Sequence, residues 1–129
     1  MILNIQPTKR VLIAGSRNFD DYNTAKEYID LCLFNIRKKY RITIVSGGAI
    51  GTDQLGERYA HENKMKCEYY YPDWKRFGKG AGPKRNLEMV KNSDFVICFW
   101  DKSSKGTKST IEFAKKLQKP IRIKYINRQ

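Results

Sequence analysis

Five short runs of β-branched or aromatic residues alternate with helical patterns along this chain, and that alternation constrains the fold more than any other feature. The runs, Val11 to Ala14, Ile42 to Val45, Cys67 to Tyr71, Phe95 to Trp100 and Ile121 to Ile126, have strand lengths rather than helix lengths. In the first gap Ala25, Tyr28, Ile29, Cys32, Leu33, Ile36 and Tyr40 recur at three- and four-residue intervals, while Lys26, Glu27, Asp30, Arg37 and Lys38 take the opposite face. Such spacing predicts an amphipathic helix, with Asp20 or Asp21 placed to cap it. A second helix is expected from about Thr52 to Asn63, where Gly56 and Ala60 lie one turn apart and let the backbone approach a sheet closely. A third begins at Pro83, a residue suited to the first helical position, and turns Leu87 and Val90 inward. A fourth follows Gly106 with Ile111, Ala114 and Leu117 before Pro120 ends it.

Parallel neighbours need crossover connections, and these are helical here, so the expected class is α/β: a doubly wound parallel sheet of about five strands with helices on both faces. A chain of 129 residues supports one core unaided, and residues 1–129 are taken as one domain. In this class every strand-to-helix loop emerges at the carboxyl edge of the sheet, and ligands bind where the strand order reverses. Function is therefore to be sought in those loops.

Four loops carry phosphate-type chemistry: Gly15-Ser16-Arg17-Asn18-Phe19; Ser46-Gly47-Gly48-Ala49-Ile50-Gly51-Thr52-Asp53; Pro72-Asp73-Trp74 leading to Gly78 through Asn86; and Ser103-Ser104-Lys105-Gly106-Thr107. Eight of the nine glycines (Gly15, Gly47, Gly48, Gly51, Gly78, Gly80, Gly82 and Gly106) fall in them. Glycine admits an anion to the backbone, and a helix N-terminus behind the loop supplies free N–H groups and partial positive charge. No segment has the GxxxxGK spacing of a P-loop, and GGAIGTD is not GxGxxG, so neither a standard P-loop NTPase nor an NAD-dependent dehydrogenase is indicated.

Charge agrees with an anionic partner. The formal net charge is +13, and it is uneven: ten basic and seven acidic residues through Lys64, sixteen and six from Met65 onward. A basic half faces phosphate, as nucleotide or nucleic acid, although Lys115, Lys116 and Lys119 share a helical polar face with Gln118 and read as solvated. No apolar run has the length of a membrane span, and the first ten residues put their charges after their apolar residues, the reverse of a signal peptide. A cytoplasmic protein with no membrane partner is expected. Cys32, Cys67 and Cys98 have neither zinc-ligand nor disulfide spacing and read as buried small hydrophobes.

Single residues carry less. Asp53 suits a ribose hydroxyl, a general base, or a cap on the second helix. Asp94 precedes the fourth strand and so belongs to the opposite edge, while His61 is mid-helix without a partner. Trp74 and Trp100 are each expected to end a strand at the binding edge, where an indole stacks on a base or closes the core. Tyr69, Tyr70 and Tyr71 fall on an expected edge strand and suit a contact between subunits of a homo-oligomer, dimeric or higher.

The ordered series GSRNFDDY, VSGGAIGTDQLGERYA, PDWKRFGKGAGPKRNLEMV, SDFVICFWD and SKGTKSTIEFA resembles the YspA-like branch of the SLOG superfamily, the Rossmann-like group that also holds the DNA-processing protein DprA and the LOG phosphoribohydrolases. The resemblance runs from about Lys9 to Ile126. It implies a sheet that binds nucleotides or nucleotide-derived ligands, often in bacterial and phage conflict, whether defence or anti-defence. It implies that Gly15, Ser16 and Arg17 form a first phosphate motif, and that Ser46, Gly47, Gly48 and Asp53 form a second. Arg85 and Asn86 match GPxRN, and Gly106 and Thr107 match the SKGT turn. With Phe19, Ala49, Trp74, Ser104 and Lys105 these make the expected ligand set. No metal is indicated and no cofactor is certain; a nucleotide-type ligand is expected.

LOG-type hydrolases place a glutamate three residues after a GT pair, and that spacing lands here on Thr110. Glu112, two residues on, is rotated about 200° around the helix and forms an S-x-x-E capping pattern with Ser109. Three readings follow: capture of a nucleotide or NAD/ADP-ribose-derived molecule, with Arg17, Arg85 and Lys105 facing phosphates; DprA-like nucleic-acid binding, noting Ala60-His61 after the second loop; and nucleotide N-glycosidase chemistry with Asp53 as the candidate acid.

Overall fold

A computed structural model describes residues 6–127. Its strands are β1 (Thr8–Gly15), β2 (Arg41–Ser46), β3 (Lys66–Tyr69), β4 (Phe95–Trp100) and β5 (Ile121–Tyr125), in one sheet of order β3-β2-β1-β4-β5. Every neighbouring pair is parallel. The α/β doubly wound architecture is therefore as expected. The central strand shows why: Val11, Leu12 and Ile13 are all fully buried, which requires cover on both faces of the pleat.

Helices α1 (Tyr22–Leu33) and α3 (Thr52–Glu62) pack Ala25, Ile29, Leu55 and Tyr59 onto Val11, Ile13, Ile44 and Phe99. On the other face α5 (Ala81–Lys91) and α6 (Lys105–Lys116) pack Met89, Val90, Ile111 and Ala114 onto Leu12, Ala14, Val45 and Cys98. Asp21 rather than Asp20 caps α1, accepting from the Thr24 N–H at 3.1 Å. Among the described residues no helix is long and apolar enough to cross a membrane. Burial pushes the Cys98 thiol up to about 12.

Four details depart from the sequence expectations. The first helix is two, α1 and a single turn α2 (Ile36–Lys39), because the chain turns at Phe34 and Asn35. The third strand stops at Tyr69, so Tyr70 and Tyr71 already belong to the following loop, although the Tyr70 N–H still bonds the Ser46 carbonyl at 2.9 Å. Trp74 opens a short helix α4 (Trp74–Phe77), capped by Asp73 and followed by a 3-10 turn at Gly78–Gly80. Finally α5 begins at Ala81, two residues before Pro83. The missing proline N–H costs nothing there, since the first four N–H groups of a helix lack intrahelical partners.

Candidate functional site

From β1 the order runs outward to β2 and β3 on one side and to β4 and β5 on the other, so it reverses between β1 and β4. The loops leaving these two strands part in opposite directions and open a crevice. A cleft of about 400 Å³ occupies it. Gly15, Ser16, Arg17 and Asn18 line it from the first loop, Ala49 and Asp53 from the second loop and α3, and Arg85, Asn86 and Met89 from α5. Asp101, Ser104, Gly106, Thr107 and Thr110 complete it from the fourth loop and α6.

Ser16 pins this rim. Its N–H donates to the Phe99 carbonyl at 3.0 Å, its carbonyl accepts from the Thr52 hydroxyl at 2.9 Å, and its hydroxyl accepts from the Asp101 N–H at 3.2 Å. The ends of β1 and β4 and the start of α3 are thus joined through one residue that is 1% exposed. The second loop is held in a similar way. The Ser46 hydroxyl donates to Glu57 at 2.6 Å and accepts from the Gly48 N–H at 3.1 Å, while Arg85 Nη1 donates to the carbonyls of Gly47 at 2.7 Å and Tyr70 at 3.1 Å.

Asp53 is the buried acid of the cleft. It is not the helix cap: Gly51 holds that position, and the Asp53 carboxylate reaches back to accept from the Ala49 N–H at 3.1 Å. Burial pushes its carboxyl up to about 6; the Ala49 N–H, Arg85 and Arg17 pull the other way, and Glu57 adds to the rise. A group tuned to that range in a cleft is characteristic of functional sites.

At the opposite wall, Ser104 caps α6 by accepting from the Thr107 N–H at 3.4 Å. Asp101 accepts from the N–H groups of Ser103 and Ser104, both at 2.8 Å, and shapes the turn before the helix. Helical geometry leaves the N–H groups of Lys105 and Gly106 without intrahelical partners, a cradle for an anion. Because Ser104 is the cap, Ser109 lies mid-helix and forms no capping box with Glu112. Glu112 is exposed and faces Lys108 at 4.0 Å, whereas Thr110 is buried at the cleft with its hydroxyl bonded to the Gly106 carbonyl at 3.2 Å. The position where LOG-type chemistry needs a carboxylate holds a threonine.

The expected residues separate into three groups. Gly15, Ser16, Arg17, Ala49, Asp53, Arg85, Asn86, Ser104, Gly106 and Thr107 meet at the cleft. Ser46, Gly47 and Gly48 stand behind them and shape the wall. Phe19, Trp74 and Lys105 do not line it. Phe19 is buried with its ring stacked on Phe99 at 5.1 Å, since the slot between α1 and β4 takes an aromatic ring. Trp74 is exposed on α4 and Lys105 on the first turn of α6. Trp100 faces neither way freely: its indole N–H donates to the Ser104 carbonyl at 3.0 Å.

The expected ligand set lacks Asn18, Asp101, Met89 and Thr110, which line the cleft, and Glu57, which holds Ser46. Asp101 is the first residue after β4, and a carboxyl-edge position of that kind is a usable signal. Met89 and Thr110 each lie three residues beyond a residue already singled out, Asn86 and Thr107, and so share their helical faces. Glu57 has no signal in the sequence.

A family model described as YspA, cpYpsA-related SLOG family matches residues 9–77. Gene 61 protein of Mycobacterium phage D29 is 34% identical over 119 residues, covering 88% of this chain and 94% of the phage protein. DNA processing protein A (DprA) from Streptococcus pneumoniae superposes with a TM-score of 0.68 at 19% identity over 91% of this chain. DprA from Helicobacter pylori, described for its single-stranded DNA binding mode, superposes with a TM-score of 0.66 at 25% identity over 92% of this chain. This chain spans 50% and 65% of the lengths of those two structures.

Proposed function

Because the chain belongs to the YspA, cpYpsA-related SLOG family, we propose that its cleft binds a nucleotide or an NAD- or ADP-ribose-derived small molecule, as a sensor or a ligand-sequestering protein. The observation that carries this reading is the meeting of four separated loops on one cleft at the point where strand order reverses. A volume near 400 Å³ falls within the range of small-molecule sites. Anionic groups sit over the first turn of α6 and beside Arg17, an exposed guanidinium with no ion-pair partner among the described residues. Asp53 accepts from sugar hydroxyls at the other end. A relative encoded by a phage fits a role in conflict between phage and host.

Mass spectrometry of small molecules released from the purified protein identifies the ligand, and calorimetry with Arg17→Ala tests the site. Loss of a charge-assisted hydrogen bond is expected to weaken binding about 10- to 100-fold. The melting temperature stays unchanged, since the side chain is exposed. Undiminished affinity in that variant overturns the assignment. A ligand held in a pocket also loses affinity only gradually with salt, unlike a nucleic-acid strand.

A further inference from the structure

Beyond the cleft, past Arg85, the exposed apolar surface is not scattered. Among the described residues, four of the eight large apolar side chains that stand exposed, Tyr69, Tyr71, Trp74 and Phe77, lie within nine residues. The Tyr69 and Tyr71 rings are parallel to within 3° with centroids 6.0 Å apart, and the Tyr71 ring lies against Gly48. A groove of about 320 Å³ runs between this pair and α5, lined also by Phe77, Lys84 and Arg85 and by two carboxylates, Asp73 and Glu88. Between Tyr69 and Arg85 the chain carries five cations (Lys75, Arg76, Lys79, Lys84 and Arg85) and one carboxylate, Asp73. Among the described residues none of Lys75, Arg76, Lys79 and Lys84 has a carboxylate within ion-pair distance. Instead Arg76 and Lys84 lie 5.0 and 4.8 Å from the Phe77 ring centre.

We propose that this surface, formed by the end of β3, α4 and the start of α5, binds single-stranded nucleic acid, its bases stacked on the exposed rings and its phosphates on the surrounding lysines and Arg76. Aromatic faces interleaved with unpaired cations match a strand whose bases are unstacked and whose backbone is anionic. A duplex hides the faces that the rings would meet. A second copy of this chain, expected from the tyrosine row alone, is disfavoured by charge: an isologous contact sets the same excess of cations against itself. Strand pairing through β3 is also short, since β3 has four residues and Pro72 follows closely. This inference concerns a different surface from the cleft and stands without the small-molecule reading.

Fluorescence anisotropy with labelled oligothymidine of about fifteen nucleotides, and with a duplex of the same length, tests it on the full chain. The single strand is expected to bind more tightly than the duplex, with a log-log salt slope near −3 if about four phosphates are neutralised. Tyr69→Ala with Tyr71→Ala is expected to weaken binding about tenfold or more. Lys75→Glu with Lys79→Glu, all at exposed positions, weakens it further and flattens the slope. The same reversal at Lys115 and Lys116, on the last turn of α6, leaves it nearly unchanged. Absence of binding at about 50 mM salt, preference for the duplex, or equal losses from both lysine pairs overturns the proposal. So does loss in Arg17→Ala with the tyrosine variant unaffected, which moves the strand into the cleft. Sedimentation showing a dimer that Tyr71→Ala dissociates assigns the surface to a second copy and overturns it as well. Apart from the Arg17→Ala outcome, which concerns the cleft itself, the calorimetry of the cleft ligand is independent of these results.

Discussion

Gly15→Ala is expected to cost on the order of 4 kcal/mol of stability although it adds a single methyl group. A Cβ at position 15 overlaps the Phe99 carbonyl oxygen and lies 2.6 Å from Thr52 Oγ1 and 2.9 Å from Thr52 Cγ2. None of these neighbours can retreat. The Phe99 carbonyl accepts the Ser16 N–H, and the Thr52 hydroxyl donates to the Ser16 carbonyl, so relief at one contact breaks the pin that joins three loops. Gly51, at φ +79° with the Arg17 carbonyl against it, is restricted in the same way by backbone rather than by flexible side chains. Gly106 is the contrast: nothing lies within 4 Å of its added Cβ, and Ala there is expected to be neutral or stabilising by up to about 1 kcal/mol, as in any helix. Thermal unfolding followed by circular dichroism checks both. Gly15→Ala should melt roughly 15 °C lower, and a value within a few degrees of the parent shows that the loops are not held through Ser16.

The same contrast explains what could be read from residues alone. The sheet was legible because four consecutive apolar residues, Val11 to Ala14, have no polar face and must be covered twice. The break between α1 and α2 was not, because Ile36 and Tyr40 continue the apolar phase set by Ile29 and Leu33; periodicity reports which face is buried, not whether the helical hydrogen bonds run on. In the loops periodicity vanishes altogether. Composition located the rim, but it gave no means to tell Arg17, which faces the cleft, from Phe19, two residues later, which is drawn into the core by Phe99. Likewise Gly15 and Gly106 look alike as letters, yet one is required by a backbone contact and the other stands in open space. Ser46, expected at an anion, spends its hydroxyl on Glu57 and Gly48 instead, a pairing set by where α3 docks.

Asp53→Asn is expected to make the protein more stable and bind its ligand less well. The folded carboxyl titrates at about 6, against 3.8 for the exposed group. Between those values the folded state holds more protons than the unfolded one, so stability falls as pH rises, and the full cost is present above about pH 6. The gap corresponds to about 3 kcal/mol. Asn removes the ionisation yet keeps an oxygen that can accept the Ala49 N–H. The variant should therefore exceed the parent by up to about 3 kcal/mol near pH 8, with the advantage shrinking toward zero near pH 4. Urea unfolding across that range measures the difference, and calorimetry at about pH 8 measures the accompanying loss of affinity. A carboxylate kept ionised at such a cost beside Arg17 and Arg85 makes sense as a ligand contact, stability being given up where function needs an otherwise unfavourable group. Greater stability with undiminished affinity removes Asp53 from the binding site; no gain near pH 8 shows instead that water or the two arginines already compensate the buried charge.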